Sequence, residues 1–169
     1  FGLAPLGVGW VLFRDNSELP DELVFHVTYL GGDMPTFQIN FSRPAGQIIA
    51  QYAGFLRLGR DGYAAAHGSA YRTAQHLADQ LPEVGPFELI YDGDPATGIP
   101  AVTWQLAADA KVTWTLYELA DRLRTRGWQV PAYTLTGDLD SQVVQRALIR
   151  VEITTDEINS LIADMRDAV

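Results

Sequence analysis

A serine beside a predicted helix start is the first residue of this sequence able to bind an anion. Ser42 stands two residues before Pro44, and from there to about Leu81 apolar residues recur every three to four positions, a pattern that predicts a helix. Proline suits a first helical turn, so the Ser42 hydroxyl should lie beside unpaired N–H groups and the positive end of the helix dipole. Two interpretations stay open: a phosphate-binding hydroxyl, or an ordinary N-cap.

An arginine in a predicted strand is the second such residue. Arg146 lies in the strand-like segment 143–151, where alternation places it on one face with Val144 and Leu148. A guanidinium among apolar neighbours needs an anionic partner, and its planar fork can bind a carboxylate through two hydrogen bonds. That partner is either the carboxylate of a ligand or an Asp or Glu of the protein itself.

A tyrosine before a predicted turn is the third. Tyr29 and Leu30 precede Gly31-Gly32-Asp33, which is a turn signal. A tyrosine hydroxyl on a closing loop can donate a proton or exclude water; the alternative is a tyrosine that only packs. His26 lies near the same loop and can make it sensitive to pH. No metal site is predicted, because the histidines lack metal-ligand spacing.

Composition limits the class of protein. The 169 residues carry a formal net charge of −9 and no cysteine. Nucleic acid is not expected as a partner, because phosphate binding needs clustered basic residues and Lys111 is the single lysine. No apolar run reaches the roughly 20 residues of a membrane span, and the absence of cysteine fits a reducing cytoplasm. Because the chain opens on Phe1 without a secretion signal, we expect that a preceding segment was removed.

The first half of the chain predicts a piece of a larger sheet followed by a long helix. Residues 7–13 are apolar on both faces, as in a strand buried within a sheet, and this chain alone cannot supply such surroundings. Residues 36–41 alternate like a second strand. Glycines within the helical pattern weaken it, so a bend or break is expected near Gly54, Gly59 and Gly62.

The second half predicts a compact α+β unit from about residue 86 onward, with two helices against a mainly antiparallel sheet. Phe87–Tyr91 and Ala101–Leu106 read as strands. Each helix begins with a capping box, in which two side chains bond each other's free N–H groups. The boxes pair Thr115 with Glu118 and Thr154 with Glu157.

Several blocks of the sequence resemble bacterial and plant glutamate decarboxylases. The blocks are Tyr29-Leu30-Gly31-Gly32, Phe41-Ser42-Arg43-Pro44-Ala45-Gly46-Gln47 and Arg126-Gly127-Trp128-Gln129-Val130-Pro131. Residues 1–10 are similar to the stretch that follows the Ser-x-His-Lys cofactor signature of that family. The resemblance covers nearly the whole chain and places the cofactor-binding lysine immediately before Phe1.

This resemblance implies the C-terminal portion of an α/β fold, that of the PLP-dependent transferases (aspartate aminotransferase-like, fold type I). Residues 1–43 would end the large cofactor domain, residues 44–85 would form a linking helical segment, and residues 86–169 would form the small C-terminal α+β domain. The implied cofactor is pyridoxal 5'-phosphate.

The resemblance also implies roles for five residues. Ser42 matches the serine that contacts the cofactor phosphate across a dimer interface. Arg146 and Phe41 match substrate-binding positions, and Arg146 would hold a substrate carboxylate. Tyr29 and Leu30 match a loop that reaches into the neighbouring subunit's active site and closes over it.

The implied activity is conversion of L-glutamate to 4-aminobutyrate and carbon dioxide by a cytoplasmic homodimer or higher homo-oligomer. In this interpretation the chain works together with the N-terminal part of the same enzyme and is inactive alone, because it lacks the cofactor-binding lysine. Two alternatives stay open: part of a related decarboxylase acting on another amino acid, or a folded interaction module without catalysis.

Overall fold

Two compact units make up the chain. The computed structural model describes residues 2–29, 31–37 and 42–169, with the backbone alone for Asn16. The N-terminal unit is Ala4–Arg57, and the C-terminal unit is Leu58–Val169 together with Gly2 and Leu3. Helix α1, Gly46–Val84, contributes residues to both units.

The N-terminal unit contains little regular structure. Two short 3-10 helices, Asn16–Glu18 and Asp21–Leu23, precede strand β1, Phe25–Val27, and strand β2, Met34–Thr36. The two strands pair in antiparallel fashion. Two-stranded ribbons are at best marginally stable by themselves, so this unit depends on other contacts for its order.

The predicted opening strand is wrong for this chain. Residues 7–13 form no strand, and the side chains of Trp10 and Leu12 are 61% and 91% exposed. A strand that is apolar on both faces needs a hydrogen-bonded neighbour and cover on each side, and the described residues of the unit offer neither. Of the second predicted strand, residues 36–41, β2 includes only Thr36; residues 38–41 lie outside the described residues.

Helix α1 is interrupted where the glycines predicted a break. Gly59 has φ of 57° and ψ of −171°, a backbone conformation that glycine adopts without the steric cost a Cβ would bring. The helix runs on through Pro82 to Val84, three residues beyond the expected end. At its other end it begins at Gly46, so Pro44 precedes the helix instead of opening it.

A four-stranded antiparallel sheet organises the C-terminal unit. Its strands are β3, Phe87–Tyr91; β4, Ala101–Leu106; β5, Ala132–Thr134; and β6, Val143–Leu148. Their spatial order is β3-β4-β6-β5. The predicted strands 87–91 and 101–106 are confirmed, and β6 ends three residues before the predicted position 151.

One hydrophobic core joins a face of this sheet to three helices. Helix α2 is Leu116–Thr125, helix α3 is Thr155–Ala168, and the part of α1 from Ala70 to Val84 packs with them. The largest side chains with essentially no exposure are Leu77, Leu81, Trp104, Leu119, Leu123 and Met165. The end of α1 is therefore part of the core of the C-terminal unit.

Both predicted capping boxes are present. The Thr115 hydroxyl oxygen accepts from the Glu118 N–H at 3.2 Å, and the Glu118 carboxylate accepts from the Thr115 N–H at 2.7 Å. Helix α3 begins with the same reciprocal pair, Thr154 and Glu157. Backbone N–H groups at the boxes lower the pKa of both glutamates, because these hydrogen bonds favour the charged carboxylate.

The block Arg126-Gly127-Trp128 fastens the end of α2 to α3. Gly127, with φ of 93°, ends the helix, and the Trp128 N–H donates to the Leu123 carbonyl oxygen at 3.1 Å, as in a Schellman motif. The carboxylate of Asp164 accepts from the indole N–H of Trp128 at 2.7 Å and from the guanidinium of Arg126 at 2.6 Å.

This contact predicts acid sensitivity. The hydrogen bond from Trp128, and then that from Arg126, lower the pKa of Asp164. A carboxyl group whose pKa is lower in the folded state than in the unfolded state stabilises the fold at pH values above about 3.9, the ordinary aspartate pKa. This stabilisation is lost as the pH falls through the lowered pKa. We expect the melting temperature of the chain to fall more steeply between about pH 5 and pH 3 than that of Asp164→Asn. Thermal unfolding across this range checks it, with the exposed Asp138→Asn as control; parallel curves for wild type and Asp164→Asn would contradict it.

Candidate functional site

A serine hydroxyl precedes the start of helix α1, where the first N–H groups have no partner within the helix. The Ala45 carbonyl oxygen accepts from the Ile49 N–H at 3.1 Å, which makes Ala45 the N-cap residue. The N-cap interpretation of Ser42 is therefore wrong, because the helix begins too late for its side chain to cap it. Ser42 is exposed, and its hydroxyl has no hydrogen-bond partner among the described residues.

A cavity of about 430 Å³ opens beside this helix start, within the N-terminal unit. It combines a glycine-rich backbone stretch with side chains from the first turn of α1 and the residues before it. It is lined by Gly7, Val8, Gly9, Trp10, Val11, Phe37, Arg43, Pro44, Gln47 and Ile48. A guanidinium, an amide and the helix N-terminus together favour an anionic group at this position.

The hairpin of β1 and β2 carries Tyr29 at its tip. The Gly31 N–H donates to the Thr28 carbonyl oxygen at 3.2 Å, and Gly31 has φ of 92°. The His26 imidazole lies 2.9 Å from the Asp33 carboxylate, so these two side chains bracket the turn. Tyr29 is 75% exposed, so the alternative of a tyrosine that only packs finds no support in the described residues.

Arg146 lies on the face of the sheet opposite the core. Its neighbours along β6, Gln145 and Ala147, are buried, whereas Arg146 is exposed. Its guanidinium carbon lies 5.6 Å from the centre of the Tyr133 ring. Among the described residues no carboxylate lies within ion-pair distance of it, so the predicted alternative of an internal Asp or Glu partner finds no support in this part of the chain. Arg150 instead pairs with Glu152 at 3.5 Å.

The predicted site residues are distributed over both units. Tyr29 and Ser42 belong to the N-terminal unit and Arg146 to the C-terminal unit; Leu30 and Phe41 lie outside the described residues. Two features were not expected from the sequence, the Tyr133 ring against Arg146 and the contact between His26 and Asp33. A histidine and an aspartate seven residues apart around a turn were the available signal for the second.

Two classes of site are not found in the described part of the chain. No cluster of three or more His, Cys, Asp or Glu side chains is arranged to hold a metal ion there. No helix among those residues is long and apolar enough to cross a membrane.

Comparison with known proteins decides the family. Residues 1–107 match the model of the pyridoxal-dependent decarboxylase conserved domain. The chain belongs to the pyridoxal-dependent decarboxylase family. The predicted family and fold class are confirmed, since a solved glutamate decarboxylase of Lactobacillus brevis superposes with a TM-score of 0.82 at 42% identity, covering 92% of this chain and 35% of that one.

Curated relatives in this family match from end to end of the chain. The glutamate decarboxylase of Aliivibrio fischeri is 48% identical over all 169 residues, and the glutamate decarboxylase beta of Listeria monocytogenes is 46% identical over the same length. The chain spans 36% of the length of each of these relatives. It therefore corresponds to about a third of such an enzyme.

The residues of this chain fit one end of the pyridoxal phosphate cofactor of the family. The Ser42 hydroxyl and the first N–H groups of α1 suit a phosphate group, and the neighbouring Arg43 and Gln47 line a cavity beside the helix start. None of the described residues of the N-terminal unit supplies an amine for the cofactor's aldehyde, because the single lysine, Lys111, lies in the C-terminal unit.

Proposed function

We propose that this chain is the C-terminal part of an enzyme that converts L-glutamate to 4-aminobutyrate and carbon dioxide. The observation that carries the proposal is an exposed guanidinium, Arg146, without an internal carboxylate partner in the described structure, within a chain 48% identical to a glutamate decarboxylase. A carboxylate of the substrate needs a cation to hold it, and Arg146 supplies one.

Pyridoxal phosphate, when bound, takes up the electron pair left on carbon as carbon dioxide departs. The chain's own residues then have three tasks. Ser42 and the N-terminus of α1 bind the phosphate, Arg146 together with Phe41 binds the substrate, and Tyr29 and Leu30 close the site. A closed site excludes water and so prevents uncontrolled proton transfer to the reacting carbon.

The proposal extends to partners and domains. Residues 1–43 would belong to a large cofactor domain, 44–85 to a linking segment and 86–169 to a small domain. Large exposed apolar side chains are concentrated in the N-terminal unit, which supports cover by the N-terminal part of the same enzyme. The exposed hairpin tip with Tyr29 suits a contact with a second subunit, and so a homo-oligomer. The cytoplasmic location stays a prediction.

Substrate selection tests the proposed function. Full-length protein saturated with pyridoxal phosphate should release carbon dioxide and 4-aminobutyrate from L-glutamate and turn over L-aspartate and aromatic amino acids far more slowly. Faster turnover of an aromatic amino acid would favour the related-decarboxylase alternative. Absence of any decarboxylation and of any cofactor binding would favour a folded interaction module.

Ser42→Ala should weaken cofactor binding in the full-length protein. A hydrogen bond from a hydroxyl to a charged group contributes about 1.5–3 kcal/mol, so the Kd for pyridoxal phosphate should rise about 10- to 100-fold. At saturating cofactor the KM for glutamate should stay near the wild-type value. Absorbance titration of apoprotein measures the change, and Ser69→Ala, an exposed serine of α1, is the matched control. An unchanged Kd would contradict the phosphate role.

A further inference from the structure

The aromatic ring of Tyr133 neighbours the Arg146 guanidinium on its face of the sheet. Strands β5 and β6 pair with Tyr133 opposite Val144, so Arg146, two residues further along β6, projects from the same face as Tyr133. The guanidinium carbon lies 5.6 Å from the ring centre, within the distance at which an aromatic face attracts a cation. Tyr133 is half-buried and Arg146 is exposed.

Other arginines of the C-terminal unit are held differently. Arg126 pairs with Asp164 at 2.6 Å, Arg150 with Glu152 at 3.5 Å and Arg166 with Glu83 at 3.9 Å. Each of these carboxylates offsets the charge of its arginine and occupies its N–H donors. The attraction between a ring face and a cation uses no N–H donor and leaves the positive charge in place. Tyr133 can therefore restrain Arg146 while its donors stay available for a ligand.

Hydrogen bonds between strands hold the backbone that carries the Tyr133 ring. The backbone of β5 is paired with β6 from Ala132 to Thr134. On the neighbouring strand the fully buried Gln145, which pairs with Ala132, donates from its amide nitrogen to the Val130 carbonyl oxygen at 3.0 Å. An arginine loses much rotational freedom when it binds a ligand, and a fixed contact that restrains it beforehand reduces that loss.

We propose that Tyr133 is a positioning residue that holds the Arg146 guanidinium in the orientation that binds the substrate carboxylate. This inference rests on the proposed function of Arg146. It assigns the aromatic ring, and not the hydroxyl, as the part of Tyr133 that matters, since the contact with Arg146 is made to the ring.

Steady-state kinetics of the full-length holoenzyme test the inference. Tyr133→Leu should raise the KM for glutamate about three- to fivefold, the size expected for loss of an exposed cation–ring contact, with kcat within about twofold. Tyr133→Phe, which keeps the ring, should restore the wild-type KM. Tyr133→Met serves if the leucine variant does not fold, and Tyr117→Leu, which replaces an exposed tyrosine of α2, is the matched control.

A double-mutant cycle separates this inference from the proposed function. In an Arg146→Ala background, Tyr133→Leu should change KM no further, because the positioned group is gone. A wild-type KM for both Tyr133→Leu and Tyr133→Met, or a rise that persists undiminished in the Arg146→Ala background, would overturn the positioning role alone. If Arg146→Ala itself left KM unchanged, the proposed function would fail first.

Discussion

Arg146→Ala in the full-length protein should raise the KM for L-glutamate about 30-fold or more, because losing one partner of a hydrogen-bonded charge pair costs about 2–5 kcal/mol. The Kd for pyridoxal phosphate should stay near the wild-type value, since in this account Ser42 and the N-terminus of α1 hold the phosphate. Steady-state kinetics with a cofactor titration on the same preparation measure both quantities.

Two further variants sharpen this expectation. Arg150→Ala removes an exposed arginine four positions away that is paired with Glu152, and it should leave KM within about twofold. Arg146→Lys keeps the charge but not the planar fork that binds two carboxylate oxygens, so its KM should fall between those of wild type and the alanine variant. Equal KM values for Arg146→Ala and Arg150→Ala would remove the assigned role of Arg146.

Leu119→Ala should destabilise the 169-residue chain by about 2–5 kcal/mol. Leu119 has no exposed surface and lies in the core that α2 shares with α1, α3 and the sheet, so its truncation leaves a cavity. Leu139, in contrast, is 54% exposed, and Leu139→Ala should change stability by no more than about 0.5 kcal/mol. Urea unfolding followed by circular dichroism compares the two. Similar shifts for both leucines would mean that the core does not limit the stability of the chain.

The C-terminal unit was predictable because its signals are local. The capping boxes at Thr115 and Thr154 fix two helix starts through contacts between residues three positions apart, and both are present. The predicted strands β3 and β4 alternate and are bounded by glycine and proline. A bend or break near Gly54, Gly59 and Gly62 was expected because glycine weakens a helix, and it occurs at Gly59.

The N-terminal unit was less predictable because its strand-like pattern requires neighbouring strands that the described residues of this unit do not supply. Residues 7–13 have the composition of a buried strand, but a strand forms only against a partner strand. At Ser42 the local pattern left an N-cap open as one of two interpretations, but the helix starts at Gly46, too late for the Ser42 side chain to cap it. For the candidate site, residue types indicated Arg146, whereas the ring of Tyr133 beside it depends on the register of β5 and β6, which the sequence alone does not specify.

The most direct test of the account is a crystal structure of the full-length protein with pyridoxal phosphate and a glutamate analogue. We predict that the Ser42 hydroxyl donates to a phosphate oxygen and that the Arg146 guanidinium donates to a carboxylate of the analogue while in contact with the Tyr133 ring. It would be contradicted if both side chains lay away from any cleft and were bonded only to other groups of the protein.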